Sequence, residues 1–193
     1  MKIIKTSIPD LVEIEPTIFG DSRGYFYSPY HKEEFHKNGI TVEFNQDNQS
    51  KSSKGVLRGL HFQKPPHAQG KLVRVIAGAV MDVAVDIRKG SPTYGQHHTV
   101  LLTEDNMKMF WVPEGFAHGF LTFEYNTIFS YKCTGLYNPS SEGSVLWNDK
   151  DLNIDWGIEN SKSKEVSVKK GASFLKEKAA ASLKFEINER SLA

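Results

Sequence analysis

The chain has 193 residues, enough for one well-packed domain and too few for two full ones. Hydrophobic residues make up 39% and charged residues 24%, an ordinary balance for a globular protein. The formal net charge of +1 excludes the strong basic field that draws proteins to nucleic acid, so no nucleic-acid partner is expected.

The opening segment "MKIIKTSIPD" has neither an apolar h-region nor a small-residue cleavage site, so no signal peptide is expected. From residue 10 to about 148, short β-branched and aromatic runs dominate: "LVEIEPTIF", "GYFYSPY", "TVEFNQD", "VLRGLHFQ", "KLVRVIAGAVMDVAVDIR", "HTVLL", "MFWVP", "GFLTF" and "TIFSYKCTGLY". Turn-forming stretches such as "FGDSRG", "KPPHAQG", "RKGSPTYG" and "NPSSEG" separate them. One short helix is predicted over 32–39, "KEEFHKNG", ended by Gly39. The longest apolar run, "VIAGAV", is far short of the roughly 20 residues that span a bilayer, so no membrane partner is expected. In "MDVAVDIR" one strand face carries Met81, Val83, Val85 and Ile87, the other Asp82, Ala84, Asp86 and Arg88. For an isolated strand, three ionisable groups on that second face would be expected to meet solvent. Cys133 is the sole cysteine, which rules out an intrachain disulfide and points to a reducing, cytoplasmic compartment.

After residue 158 the character changes to a lysine-rich arm, "ENSKSKEVSVKKGAS". Leu175, Ala179, Leu183 and Ile187 then recur at four-residue spacing and predict a terminal helix. The pattern is that of an all-β protein, an antiparallel sandwich or barrel over 1–158, with a few short helices mainly near the C-terminus and an appended segment over 159–193.

Three clusters can carry chemistry. In "VLRGLHFQ", residues 56–63, Arg58 and His61 stand three apart and would point to opposite faces of a regular strand. An interior strand glycine such as Gly59 often marks a bulge, and a bulge would bring both side chains to one cavity. Taken alone, His61 also fits a hydrogen-bonded interior histidine and Arg58 a solvent-facing cation. In "WVPEGFAHGF", Pro113, Gly115 and His118 match the second motif of the cupin superfamily, small β-barrels or jelly rolls, some of which bind metal. Here "LHFQ" supplies no second histidine at the right step, and the rings of adjacent His97 and His98 diverge, so the three ligands a transition metal needs cannot be assembled. In "YKCTGLYNPSSEGSVLWND", Tyr131 and Tyr137 fit core aromatics with hydroxyls at the rim, and Cys133 fits packing.

Taken together and in order, "IFGDSRGYF", "QDNQSKSSKGVLRGLHFQ", "AQGKLVRVIAGAVMDVAVDIRKGSPTYGQ", "WVPEGFAHGF", "YKCTGLYNPSSEGSVLWND" and "LNIDW" resemble the dTDP-4-dehydrorhamnose 3,5-epimerases over about residues 3–157. The resemblance implies a cofactor-free, metal-free, homodimeric cupin-like jelly roll acting in deoxysugar biosynthesis on a nucleotide-diphosphate sugar, dTDP-4-keto-6-deoxyglucose. It implies that His61 is the general base, Tyr131 the general acid and Lys71 the cation beside the ketone oxygen. Arg23, Gln46, Asn48, Arg58, His118, Glu142 and Lys169 match substrate-contacting positions, and Asp82 a buttress for the site's histidines. The residue types suit the reaction. The protons at C3 and C5 both flank the C4 ketone, an enolate needs only a cation or donor at its oxygen, and imidazole exchanges protons near neutrality.

Two positions depart from the family pattern. Ser28 stands where many members carry a carboxylate, and Lys170 stands where an aspartate usually pairs with the catalytic histidine. A cation there would lower the histidine's pKa and remove the group that orients its ring, unless a small gap lets Glu165 take the place. Two alternatives remain open at this point: an epimerase acting at C3 or C5 alone on another nucleotide sugar, and a non-catalytic sugar-nucleotide-binding jelly roll.

Overall fold

Short segments of alternating apolar and polar residues form thirteen strands within residues 1–157, the part of the chain that the computed structural model describes. The lysine-rich arm and terminal helix expected over 159–193, and with them Glu165, Lys169 and Lys170, lie outside the described residues. In chain order the elements are β1 (Lys2–Lys5), β2 (Val12–Glu15), β3 (Phe19–Asp21), β4 (Gly24–Phe26), α1 (Lys32–Lys37), β5 (Gln46–Ser52), β6 (Leu57–Gln63), β7 (Lys71–Ala77) and β8 (Ala79–Asp86). There follow β9 (His97–Thr103), β10 (Met109–Val112), β11 (Phe116–Thr122), β12 (Thr127–Cys133), a 3-10 turn (Pro139–Ser141) and β13 (Glu142–Ser144). Helix α1 starts where His31 accepts the Glu34 N–H and ends at Asn38, followed by Gly39 at φ 87°. No helix among the described residues is long and apolar enough to cross a membrane.

The strands pair antiparallel in two main sheets, one ordered β1-β2-β10-β7-β12-β5 and the other β13-β6-β11-β8-β9. This is the antiparallel sandwich expected from the sequence. The long run "KLVRVIAGAVMDVAVDIR" is two strands: Gly78, at φ 82°, turns the chain from β7 in the first sheet to β8 in the second. Between the sheets pack Val73, Val75, Val80, Ala84, Val100, Phe110, Phe116 and Phe129. The outward residues of the second sheet, Leu57, Leu60, Val83, Val85 and Leu121, are covered by Val145, Leu152 and Trp156. On the first sheet Phe35 of α1 packs with Ile14, Leu72, Met109 and Trp111. Strands β3 and β4 form a separate two-stranded hairpin.

Alternation in β8 is as the sequence predicts, with one correction. The polar face does not meet solvent: Asp82 and Asp86 are both 0% exposed. Asp86 accepts Arg88 Nε and Nη2 at 3.0 and 2.8 Å, Ser91 Oγ at 2.6 Å and Thr93 Oγ1 at 2.7 Å. Burial pushes its carboxyl up, but the hydrogen bonds from Arg88, Ser91 and Thr93 outweigh that and hold it below the usual carboxylate range. Arg88 Nη1 also reaches Asp10 Oδ2 at 2.6 Å, tying the start of the chain to the end of β8.

Strand β6 carries the distortion anticipated at Gly59. Opposite it on β11, His118 pairs with His61 and Phe120 with Arg58, so two steps on one strand face three on the other. Gly59 has φ 146°, and a Cβ built there would lie 2.5 Å from the Cα of Gly119. Across this bulge Leu57 and Leu60 join the outer cluster while Arg58 and His61 both point to the interior. Gly59→Ala is expected to lower the unfolding free energy by about 1–3 kcal/mol through the disfavoured backbone conformation alone, with the steric overlap adding to it. Urea denaturation of the two proteins measures the difference.

Candidate active site

Three strands of one sheet and three of the other enclose a cavity of about 340 Å³. From the five-stranded sheet come Arg58 and His61 of β6, His118 and Phe120 of β11, and Glu142 of β13. The facing sheet supplies Ser50 of β5, Lys71 of β7, and Phe129 and Tyr131 of β12. His61 and the pair Lys71–Tyr131 therefore occupy opposite walls. Tyr137, from the loop after β12, completes the mouth and is 52% exposed.

Each wall has its own support. His118 Nε2 lies 2.8 Å from Asp82 Oδ1, so the fully buried carboxylate is the buttress of His118. Phe120 stacks on Phe129 with ring centres 4.1 Å apart, joining the sheets beneath the polar groups. Ser52 Oγ accepts from Arg58 Nε at 3.1 Å, a contact that orients the guanidinium. Gln46 and Asn48 share the inward face of β5 with Ser50 and Ser52. Gln46 Nε2 donates to Asn48 Oδ1 at 2.9 Å, and Asn48 Nδ2 approaches Cys133 Sγ at 3.6 Å.

The electrostatics divide the roles of these groups. Burial pushes the Lys71 ammonium below the ordinary lysine value, while Cys133, Asp82 and Glu142 pull in the opposite direction. Burial pushes the Tyr131 phenol up, so it holds its proton more firmly than free tyrosine, and Arg58 partly offsets this. Burial also raises the Cys133 thiol, opposed by Lys71. Cys133 is 1% exposed and packs beside the site as a neutral thiol. No group of three or more His, Cys, Asp or Glu among the described residues is arranged to hold a metal ion. His98 is placed in a surface network, with Nε2 at 3.1 Å from Glu13 Oε1 and Lys108 Nζ at 3.0 Å from the other oxygen.

Of the residues singled out by the sequence, His61, Lys71, Tyr131, Arg58, His118 and Glu142 meet in this cavity. Gln46, Asn48 and Asp82 form its immediate surroundings. Arg23 is not there: it sits at the turn of the β3–β4 hairpin, with Nη2 at 2.6 Å from Asp21 Oδ2. Ser28 lies just past that hairpin and donates to the Tyr30 carbonyl at 3.0 Å. Ser50, Ser52, Phe120, Phe129 and the wall position of Tyr137 were not anticipated. The two-residue period running from Gln46 through Asn48 would have found both serines, whereas Tyr137 carries no periodic signal because it stands in a loop.

Known proteins place this arrangement. The family model for dTDP-4-dehydrorhamnose 3,5-epimerase matches residues 5–177. The chain is 52% identical to the Salmonella typhimurium dTDP-4-dehydrorhamnose 3,5-epimerase over 180 residues, 93% of this chain and 97% of that protein. A crystal structure of the Elizabethkingia anophelis dTDP-4-dehydrorhamnose 3,5-epimerase superimposes with a TM-score of 0.86 at 48% identity, covering 92% of this chain and 98% of that one. A Legionella pneumophila epimerase, crystallised in complex with dTDP-4-keto-L-rhamnose, gives a TM-score of 0.80 at 50% identity over 86% of each chain. With an imidazole, an ammonium and a phenol lining one cavity of a jelly-roll interior, and this likeness along most of its length, the chain belongs to the dTDP-4-dehydrorhamnose 3,5-epimerase family.

Proposed function

We propose that this protein inverts C3 and C5 of dTDP-4-keto-6-deoxyglucose, giving dTDP-4-keto-L-rhamnose, without a cofactor. The observation that carries this is the placement of His61 on one wall of the cavity and Lys71 with Tyr131 on the other. The neutral imidazole of His61 takes the proton from the carbon next to the ketone. The electron pair left behind moves onto the C4 oxygen, where the Lys71 ammonium stabilises the enolate. The Tyr131 phenol, kept protonated by burial, returns a proton to the opposite face of the same carbon. Solvent then reprotonates Tyr131 and relieves His61 of its proton. Repeating the sequence on the other side of the ketone inverts the second centre, because one enolate oxygen serves both carbons.

Arg58, His118 and Glu142 hold the substrate, with Gln46 and Asn48 at the edge of the same cavity and Lys169 as the contribution of the C-terminal arm. Arg58 suits the diphosphate because Ser52 already orders its guanidinium. The single-domain arrangement, a β-sandwich with a C-terminal arm, belongs to this proposal. A lone thiol and a nucleotide-activated substrate both favour a cytoplasmic setting.

The protein acts as a homodimer. Phe19, Tyr25 and Phe26 on the β3–β4 hairpin are 64, 62 and 71% exposed, a run of large apolar side chains that a second copy would cover. Arg23 stands at the tip of this hairpin, away from its own cavity, so its substrate contact is made in the partner's site.

In D₂O, incubation with dTDP-4-keto-6-deoxyglucose is expected to wash deuterium into C3 and C5, read by NMR. His61→Ala should abolish exchange at both carbons; wild-type protein that exchanges neither would sink the assignment. The rate should also fall on the alkaline side as Lys71 loses its proton. The ammonium is the form that stabilises the oxyanion and its pKa is lowered, so this limb begins below the ordinary lysine range near pH ~10.4. Lys71→Arg, which stays charged, should retain some exchange and lose that limb in a pH–rate profile. Sedimentation should give twice the chain mass, and Phe19→Ser with Phe26→Ser should shift it toward one chain mass.

A further inference from the structure

Strand β6 has a second inward position beyond His61. Two residues further on, Gln63 shares the face of His61, is 7% exposed, and does not line the cavity. All of its amide is nevertheless engaged. Nε2 donates to the His67 carbonyl at 2.6 Å and to the Leu136 carbonyl at 3.2 Å, while Oε1 accepts the Asn138 N–H at 2.7 Å. Two acceptors and one donor around a single group call for an amide, since a carboxylate cannot supply the donors. Leu136 and Asn138 flank Tyr137, so Gln63 grips the backbone on either side of the tyrosine at the cavity mouth. Gln46 Oε1 takes the Tyr137 N–H itself at 3.0 Å, and Gln69 Nε2 holds the Gly135 carbonyl at 2.6 Å. The Tyr137 hydroxyl then donates to Glu142 Oε2 at 3.2 Å, and Glu142 is the register partner of Gln63 on the neighbouring strand.

We propose that Gln63 is a positioning residue which, by clamping the loop at Leu136 and Asn138, holds the Tyr137 ring at the mouth and sets the affinity for the nucleotide end of the substrate. The proposal deepens the epimerase reading and rests on it for the identity of the ligand. The groups proposed to move protons line the interior of the cavity, whereas Tyr137 and Leu136 are 52 and 66% exposed. The portion of the substrate that projects outward past them is the nucleotide, and a half-exposed aromatic ring is a stacking surface for its base. A loop that carries no periodic strand signal depends on such side-chain contacts for its shape, because few of its backbone groups are paired in a ladder.

The test uses the full chain with Gln63→Leu, which keeps the bulk and removes the amide. Amide hydrogen exchange over Gly135–Asn138 is expected to speed up about tenfold without ligand, and dTDP binding by calorimetry to weaken about five- to tenfold, as loss of hydrogen bonds of ordinary strength implies. KM for dTDP-4-keto-6-deoxyglucose should rise by a similar factor while kcat stays within about twofold, a split that general destabilisation would not produce. In a Tyr137→Ala background, Gln63→Leu should weaken dTDP binding by less than about twofold, because the two act as one unit. Gln63→Glu keeps the acceptor for Asn138 and loses both donors; it reads the same quantities if the leucine variant does not fold. Unchanged exchange at Gly135–Asn138, or an equal loss of dTDP affinity with and without Tyr137, would overturn the proposal. If the wild-type protein binds no dTDP, the epimerase reading fails, and the exchange rates still decide whether Gln63 holds the loop.

Discussion

The site depends on how closely two backbones approach at Gly59 and Gly119. Strands β6 and β11 meet there with no room for a side chain: a Cβ on Gly59 would come 2.5 Å from one Cα, and a Cβ on Gly119 would come 2.7 Å from the Arg58 carbonyl oxygen. The extra residue accommodated at this crossing reverses the inside–outside parity of β6. Leu57 and Leu60 can then both serve the outer core, and Arg58 and His61 can both serve the cavity. Without that reversal, burying the leucines would send one of the two polar side chains to the wrong face. Anion contact and proton abstraction, as proposed, are therefore combined on one strand by a local backbone irregularity.

A sandwich interior is a poor place for ionisable groups, and this one holds several. The two aspartates of β8 are held there by polar partners. One carboxylate oxygen of Asp82 is paired with His118, and Asp86 accepts from Arg88, Ser91 and Thr93. Lys71 is the informative case, because burial works against its charge while the surrounding acidic groups work for it. A cation in that balance gains more from a developing enolate oxygen than one already neutralised by a single close carboxylate. The same buried surroundings keep Tyr131 protonated, so one environment prepares both the proposed oxyanion stabiliser and the proposed acid.

At the mouth the construction changes from strands to loops held by side-chain amides. Gln46, Gln63 and Gln69 all reach toward the segment that carries Tyr137, and the groups they hold in that segment are backbone groups. The β3–β4 hairpin extends the logic outward: it displays aromatic side chains and Arg23 away from the body of the chain. The deep part of the site is thus built by a single chain, and its rim draws on loops and, as proposed, a second copy.

The sequence by itself determined the fold class, because the alternation that buries one face of a strand is written residue by residue, as in Met81, Val83 and Val85. It also determined which side chains meet, since His61, Lys71, Tyr131 and His118 stand on strands whose order follows the pattern of the family. A distortion at Gly59 was legible for the same local reason: a glycine between two inward-facing polar residues has to break the two-residue period. Strand β5 was only partly legible, because a strand whose inward face is Gln46, Asn48, Ser50 and Ser52 carries no apolar alternation to reveal it. Tertiary structure alone decided that Asp82 and Asp86 are buried and not solvated, that Arg23 stands outside its own cavity, and that Tyr137 is wall and not core. The physical reason is common to all three. Each depends on what packs against the residue from a distant part of the chain, and neither spacing nor propensity encodes that.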